Sequence, residues 1–335
     1  MSDANGFWPP IKIENDTLTF SPSQISLMQR CTRQWGYKYI LNREPATDSV
    51  SSGSGKAFHS ALEPRFKAPR GVITPGVIEA MHLNLLKGFQ NVPVPEDDYR
   101  TLGRYQRLLD AYNAHYKNEQ LTTLGVEIPI MVQVGTLTYK GRPVRILMKA
   151  IIDRLVRTGD GLVLVADTKT SKDWRPSNQV MWERAAAPKA YTWGVMELAR
   201  LAPELGLPPV VHGFMLDSVV VRREEATLRS PRRNGIADQV FQRIVYSYTR
   251  EQLEEWRTNA LIWIEGMLRQ HEQGELSHNE SQCSSWFGRT CPFINVCCEP
   301  DKKKRKFLLS FDVFQDRRPS PFERVHEGVE SEVPE

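Results

Sequence analysis

The sequence predicts an α/β fold, built as one domain of helices, then strands, then helices again. Three observations carry this. Amphipathic helical patterns fill the first third of the chain. From Gly125 onward, β-branched residues and turn signals replace them. A long helical pattern, "TREQLEEWRTNALIWIEGMLRQHEQ", then follows the last strand-like run. With 335 residues, 40% hydrophobic and 25% charged, the chain can bury such a core.

In order, "TFSPSQISLMQRCTRQWGYKYI" reads as a helix, with Ser21 as N-cap, Pro22 in the first position and Gln24 completing a capping box. Ile25, Met28, Trp35 and Tyr39 fall on one face, and Cys31 lies inside it, flanked by Arg30 and Arg33. Trp35, Tyr37 and Tyr39 are core residues or base-stacking ones. A Ser/Gly-rich link, "DSVSSGSG", leads into a helix that carries His59 and Glu63 four residues apart on one face. "PGVIEAMHLNLLKGFQ" and "LGRYQRLLDAYNAHYKNEQ" are further amphipathic helices. "GVEIPIMVQV", "LTYKGRPVRILMKAIIDRLVR" and "GLVLVADTKT" form a meander of strands. "PKAYTWGVMELARL" returns to helix, and "VVHGFMLDSVVVRR" and "FQRIVYSY" read as strands. Thr249 and Gln252 make a capping box for the long helix after them. The polar chain after Pro319 has the composition of a disordered tail.

Net charge is +4, concentrated in "VRREEATLRSPRRNG" and "DKKKRKF". Such clusters are phosphate contacts or solvated loops. No run of about 18 apolar residues exists, so a membrane span is excluded. "MSDANGFWPP" lacks the basic and apolar regions of a signal peptide, and a cytoplasmic location is expected.

The stretch "RILMKAIIDRLVRTGDGLVLVADTKTSKDW" holds the chemistry. One strand is expected to end near Asp153 and the next to begin near Leu162, with "RTGDG" as a tight turn. Centred on Asp160, the turn sets Asp153 opposite Asp167, and alternation puts Lys169 on the face of Asp167. Two carboxylates about 4 Å apart repel by roughly 4 kcal/mol at an effective dielectric of about 20. A divalent cation such as Mg²⁺ offsets this. Taken alone, the hairpin is equally a salt-bridged strand edge, Asp167 with Lys169 or Asp153 with Arg154.

Asp153 followed by Asp167-Thr168-Lys169 resembles the D…(D/E)-x-K signature of the PD-(D/E)XK nuclease superfamily, and the other pieces resemble its RecB-like branch. "SPSQISLMQRCTRQWGYKY" is similar to that branch's first helix. "GSGKAFHSALE" resembles its Gly-x-x-x-His-x-x-Leu-Glu element, whose histidine binds metal, here His59. "AIIDR" matches its Gly-x-Ile-Asp-Arg segment, with Ala150 where glycine is usual. "PKAYTWGV" resembles its Gln-x-x-x-Tyr helix, with Tyr191 in the tyrosine position but Ala187 in place of glutamine. Gln179 and Lys189 are candidate substitutes, and Pro188 places the helix start late. The ordered set spans Ser21 to Cys298.

The resemblance implies a restriction-endonuclease-like α/β core, a mixed central sheet flanked by helices, over residues 21–300. A 1–20 extension precedes it, a helical insertion occupies about 64–120, a Cys-rich segment spans 283–298, and a basic, then disordered, tail covers 301–335. It implies a Mg²⁺- or Mn²⁺-dependent deoxyribonuclease. His59, Asp153, Asp167 and the Thr168 carbonyl would hold the ion, and Lys169 would orient or deprotonate a water or stabilise charge on the phosphate. Tyr191 is a core aromatic or a DNA contact, and Glu127 a supporting carboxylate. Exonuclease action on single strands or duplex ends, in recombination or repair, follows by analogy. The departures at Ala187 and Ala150 motivate an alternative, an inactive nucleic-acid-binding scaffold, and RNA is a further substrate class. The sequence has no G-x-x-x-x-G-K-[ST], so a helicase or recombination protein would be a separate partner.

Cys31, Cys283, Cys291, Cys297 and Cys298 favour metal over disulfides in a cytosolic chain. In part of the RecB-like branch, one early and three late cysteines hold a 4Fe–4S cluster. Cys31, Cys283, Cys291 and Cys297 resemble that set, although the Cys283 to Cys291 gap is longer than the family's. Cys298 is a spare, and a structural Zn²⁺ site or free thiols fit the same residues.

Overall fold

A computed structural model describes residues 7–46, 49–68, 71–172, 176–222, 240–283 and 290–317. The chain divides into two compact units, Met1–Thr47, Pro129–Ile151 and Arg250–Glu335 in one, Asp48–Ile128 and Ile152–Thr249 in the other. The sequence pattern shows no linker at two of these boundaries because they fall inside strands, β3 (Leu121–Tyr139) and β4 (Arg142–Thr158). No helix among the described residues is long and apolar enough to cross a membrane.

In the first unit, β1 (Thr17–Phe20) runs parallel to β4, Thr17 opposite Arg145. Helix α1 (Pro22–Arg30) starts as expected, with Ser21 accepting from the Gln24 N–H. It does not run through Cys31. That residue is extended (φ −167°, ψ 108°), and its sulfur caps the short α2 (Thr32–Trp35) by accepting from the Gln34 N–H. Long-range bonds hold the break: Thr32 Oγ1 lies 2.9 Å from the Gln270 amide oxygen and 2.8 Å from the Ser277 carbonyl, and the Arg33 Nε donates to the Leu276 carbonyl at 2.9 Å. Tertiary partners thus override helical periodicity. A wider turn follows over Gly36–Ile40, and β2 (Arg43–Pro45) comes next. Trp35 and Tyr37 are core residues, and Tyr39 is half-buried beneath Arg317.

His271 lies buried on α8 (Arg250–Glu272). Its Nδ1 is 2.9 Å from the Tyr139 hydroxyl and its Nε2 2.9 Å from the Pro9 carbonyl. That pairing fits a neutral ring donating to Pro9 and accepting from Tyr139. Burial lowers its pKa, and of the nearby charges Lys140 adds to this while Glu272 opposes it. The unfolded chain therefore binds the proton more tightly, and this part of the stability is present above the ordinary histidine pKa and lost as pH falls from there through the lowered folded value. Denaturant midpoints should fall between about pH 7 and about pH 5, and His271→Phe should flatten that slope.

In the second unit, the Ser/Gly-rich stretch is not a link but the first turns of α3 (Val50–Lys67). Ser49 caps it, and Ser54 Oγ bonds the Val50 carbonyl and the Tyr105 hydroxyl. Glycine at 55 is required by packing, since a Cβ there would sit 2.9 Å from Thr170 Oγ1. Pro64 lies inside this helix and leaves the Ser60 carbonyl without its helical donor. Asn84 Nδ2 supplies one at 3.1 Å, from α4 (Pro75–Phe89). The α4 chain also comes close where Gly88 meets Ala57. With α5 (Leu102–His115), these helices bury Phe58, Leu62, Met81, Leu85, Tyr105 and Tyr112 in one core.

The later part of β4 continues past Asp153 to Thr158, so this acid sits within a strand rather than at its end. β4 pairs antiparallel with β5 (Val163–Ser171), Arg154 opposite Ala166 and Arg157 opposite Val163. This is the register of a turn centred on Asp160, with Gly161 at φ 90°. β6 (Gly213–Val220) runs parallel to β5, and β7 (Phe241–Ser247) antiparallel to β6. The strand order is β1-β4-β5-β6-β7, with β3 also on β4, a mixed sheet as the sequence leads one to expect. Helices α6 (Pro176–Arg184) and α7 (Ala186–Leu201) connect β5 to β6. Pro188 falls within the first turn of α7, where a missing N–H is tolerated.

Back in the first unit, α9 (Ile294–Cys298) precedes the basic run. That run, expected to open a tail, is α10 (Lys302–Leu309). Asp301 caps it, Leu309 buries, and β8 (Phe314–Asp316) pairs with β2. The chain from 318 onward and most of "VRREEATLRSPRRNG" lie outside the described residues.

Candidate metal centre

Three second-unit elements bring the site together. α3 carries His59, β4 carries Asp153, and β5 carries Asp167 and Lys169. Extending the β4–β5 register by one residue sets Asp153 across from Asp167. Ligand atoms of His59, Asp153 and Asp167 all lie within 4.8 Å of one another. His59 Nδ1 is 3.5 Å from Asp153 Oδ2, and Lys169 Nζ is 2.7 and 2.6 Å from the two Asp167 oxygens. The Asp167–Lys169 salt bridge and the facing acids share one site; Asp167 is buried there rather than on a solvated edge, and Arg154 pairs with Asp217 rather than with Asp153.

The electrostatics follow from this crowding. Burial, then the Asp167 charge, raises Asp153 well above the usual aspartate range. Burial also pushes Asp167 upward, but the Lys169 ammonium outweighs it and the acid ends below its ordinary value. Burial pulls Lys169 down, yet Asp167 and Asp153 more than restore it, so it stays an ammonium. For His59, burial is outweighed by Glu127, Asp153 and Asp167, and the ring is raised. Tyr191 on α7 is pushed up to about 12 by burial and then by the Asp167 charge, so it is a neutral phenol beside the acids. Two facing carboxylates, one with its pKa raised by the other, plus an imidazole, form a donor set suited to a hard divalent cation.

Glu127 lies on the other side of the imidazole, Oε1 3.6 Å from His59 Nε2. Its φ of 53° is left-handed for a non-glycine residue, a conformation that costs about 1–3 kcal/mol. This turns Glu127 out of the regular β3 alternation. A carboxylate at Nε2 leaves Nδ1 facing the acids. Glu127→Gln should weaken Mn²⁺ binding about 10–100-fold by calorimetry while leaving the fold intact.

Glu63, Lys189 and Gln179 have partners elsewhere. Glu63, four residues on from His59, pairs with Lys67. The Lys189 ammonium lies over the Tyr248 ring at 5.9 Å, and the Gln179 carbonyl accepts from Tyr246. Neither contact is to a site carboxylate. Thr168 is buried, and alternation turns its side chain away from the face of Asp167.

Sequence reading missed what lies beneath. Asp217 is 0% exposed on β6, opposite Thr168. Its Oδ2 is 3.3 Å from Arg154 Nη2 and accepts from the Tyr112 hydroxyl, and Arg243 stands 3.7 Å away. Arg154 in turn packs 3.8 Å over the Phe66 ring. Arg154 and Asp217 join β4 to β6 across β5, on the face opposite Asp153, Asp167 and Lys169. The signal was an aspartate in the otherwise apolar run "GFMLDSVVV".

A mixed sheet bearing paired acids and a lysine, met by an imidazole from a neighbouring helix, is a donor set that could hold a divalent cation. The chain matches the family model of the PD-(D/E)XK nuclease superfamily over residues 19–298 and belongs to that superfamily. No curated protein sequence matches it significantly. Among solved structures it is similar to "Crystal structure of SSO0001", at 11% identity, 76% of this chain, 78% of that one and a TM-score of 0.28.

Proposed function

We propose that the protein is a Mg²⁺- or Mn²⁺-dependent deoxyribonuclease of the RecB-like branch, cutting single strands or duplex ends as an exonuclease in recombination or repair. The convergence of His59, Asp153 and Asp167, with Lys169 alongside, carries this reading. Those three side chains would hold the ion, with the Thr168 carbonyl as a further donor. A bound ion would supply Lewis acidity toward the scissile phosphate and a more acidic water. Lys169, beside Asp167, orients the attacking water or stabilises negative charge on the phosphate. Tyr191 keeps its proton and can donate it in a hydrogen bond to a phosphate oxygen.

The cysteines support a second cofactor in the first unit. Burial and the sulfurs of Cys297, Cys31 and Cys298 raise the Cys283 thiol, and Cys31, Cys283 and Cys297 act likewise on Cys291. Arg33 Nη1 points at the Cys297 sulfur from 3.7 Å. The sequence resemblance supports a 4Fe–4S cluster on Cys31, Cys283, Cys291 and Cys297, with Zn²⁺ the alternative. Free thiols also fit a cytoplasmic setting. Anaerobically purified protein should absorb broadly near about 400 nm, and a colourless protein containing zinc would remove the cluster.

The test of the main reading is cleavage of single-stranded DNA, duplex DNA and RNA by the full chain in Mn²⁺. Release of nucleotides from DNA ends supports it. Binding without any cutting would point instead to a scaffold, and cutting of RNA alone would change the substrate.

A further inference from the structure

We propose that α10 and the residues just after it form a separate single-stranded DNA-binding surface in the first unit, with Phe307 and Phe311 as base-stacking platforms and Lys303 and Lys304 as phosphate contacts. Leu309 is buried and anchors the helix. Lys302 pairs with Glu275, and Arg305 donates to the Glu299 carbonyl, so two of the five basic residues are spent on that anchoring. Lys303, Lys304 and Phe307 fall on one face at three- and four-residue spacing, and Phe311 lies one turn further on. This face is open to solvent although it carries the largest apolar rings of the segment, with Phe307 62% and Phe311 44% exposed. The two rings meet edge to face, their centroids 4.9 Å apart. Val313, also exposed, extends the patch.

Charge chooses the occupant. From 302 to 315 the sequence has five basic residues and one acid, Asp312. The flanking acids are engaged, Asp301 on the N–H groups of Lys303 and Lys304, Asp316 on Arg43. Bare aromatic faces among ammonium groups match a polyanion whose bases are unstacked, since paired bases offer no face to a phenyl ring. A nucleic acid is preferred over other polyanions on the strength of superfamily membership. The surface does not depend on the metal centre, because none of its residues belongs to it.

The experiment is fluorescence anisotropy in EDTA, with the full chain carrying Asp167→Asn so that no strand is cut. The probes are labelled oligo-dT, a blunt duplex and phosphatidylserine vesicles. Phe307→Ala with Phe311→Ala should weaken oligo-dT binding about tenfold or more and leave the duplex within about twofold. Lys303→Ala with Lys304→Ala should reduce the slope of log affinity against log salt by roughly 0.7 per lysine. Unchanged oligo-dT binding in the phenylalanine variant overturns the proposal. A loss confined to the vesicles overturns it in favour of a membrane surface. Absence of any cleavage by the wild-type chain in Mn²⁺, with oligo-dT binding intact, would sink the nuclease reading and leave this one standing.

Discussion

Asp167→Asn should abolish the proposed DNA cleavage, by about a thousandfold or more, and at the same time remove any stabilisation that Mn²⁺ gives the wild type. The two effects share one cause. Asp167 is the ionised member of the facing pair, because Lys169 holds it below its ordinary range while Asp153 is pushed above. The ionised oxygen is the stronger ligand. Without it, His59 and Asp153 offer too few hard donors for a divalent ion. In EDTA the variant should melt no lower than the wild type, since it relieves the repulsion on Asp153 even as Lys169, half-exposed, loses its partner. Thermal melts with and without Mn²⁺, beside a cleavage assay, check both statements. A variant that still gains stability from Mn²⁺ would place the ion elsewhere.

Asp217→Ala unfolds the second unit more readily, costing about 3–5 kcal/mol by denaturant titration. Removing this carboxylate leaves Arg154, 2% exposed, without its salt-bridge acid, and takes one acid from Arg243. The Tyr112 hydroxyl loses its acceptor as well. Arg243 keeps Glu119 and so is the less affected of the two. Replacing Arg154 and Asp217 together by apolar residues should cost less than either single change, because no buried charge is then left alone. Since the pair spans β5 beneath Asp167 and Lys169, the single variant should also bind Mn²⁺ more weakly under conditions where it remains folded.

Much of this was readable from residue order. The turn glycines around Asp160 defined the β4–β5 register, and with it which acids face each other, because antiparallel pairing is symmetric about a turn and side chains alternate strictly. Caps at Ser21 and the periodicities of α4, α5, α7 and α8 are equally local. Cys31 shows where locality ends. The residues around it read as one continuous helix, and partners more than two hundred positions away break it. The Ser/Gly-rich start of α3 erred in the other direction, since Ser54 is bonded to the Tyr105 hydroxyl and Gly55 lies close against Thr170, contacts that propensity does not encode.

The sequence by itself determined the superfamily, the facing acids and their lysine, since these depend on strand spacing and short motifs. Only the tertiary structure decided that Glu127 turns onto His59, that Asp217 and Arg154 brace the sheet beneath, and that a basic run is a helix with its rings exposed. Each of those rests on contacts between residues far apart in the chain, and local periodicity holds no record of them.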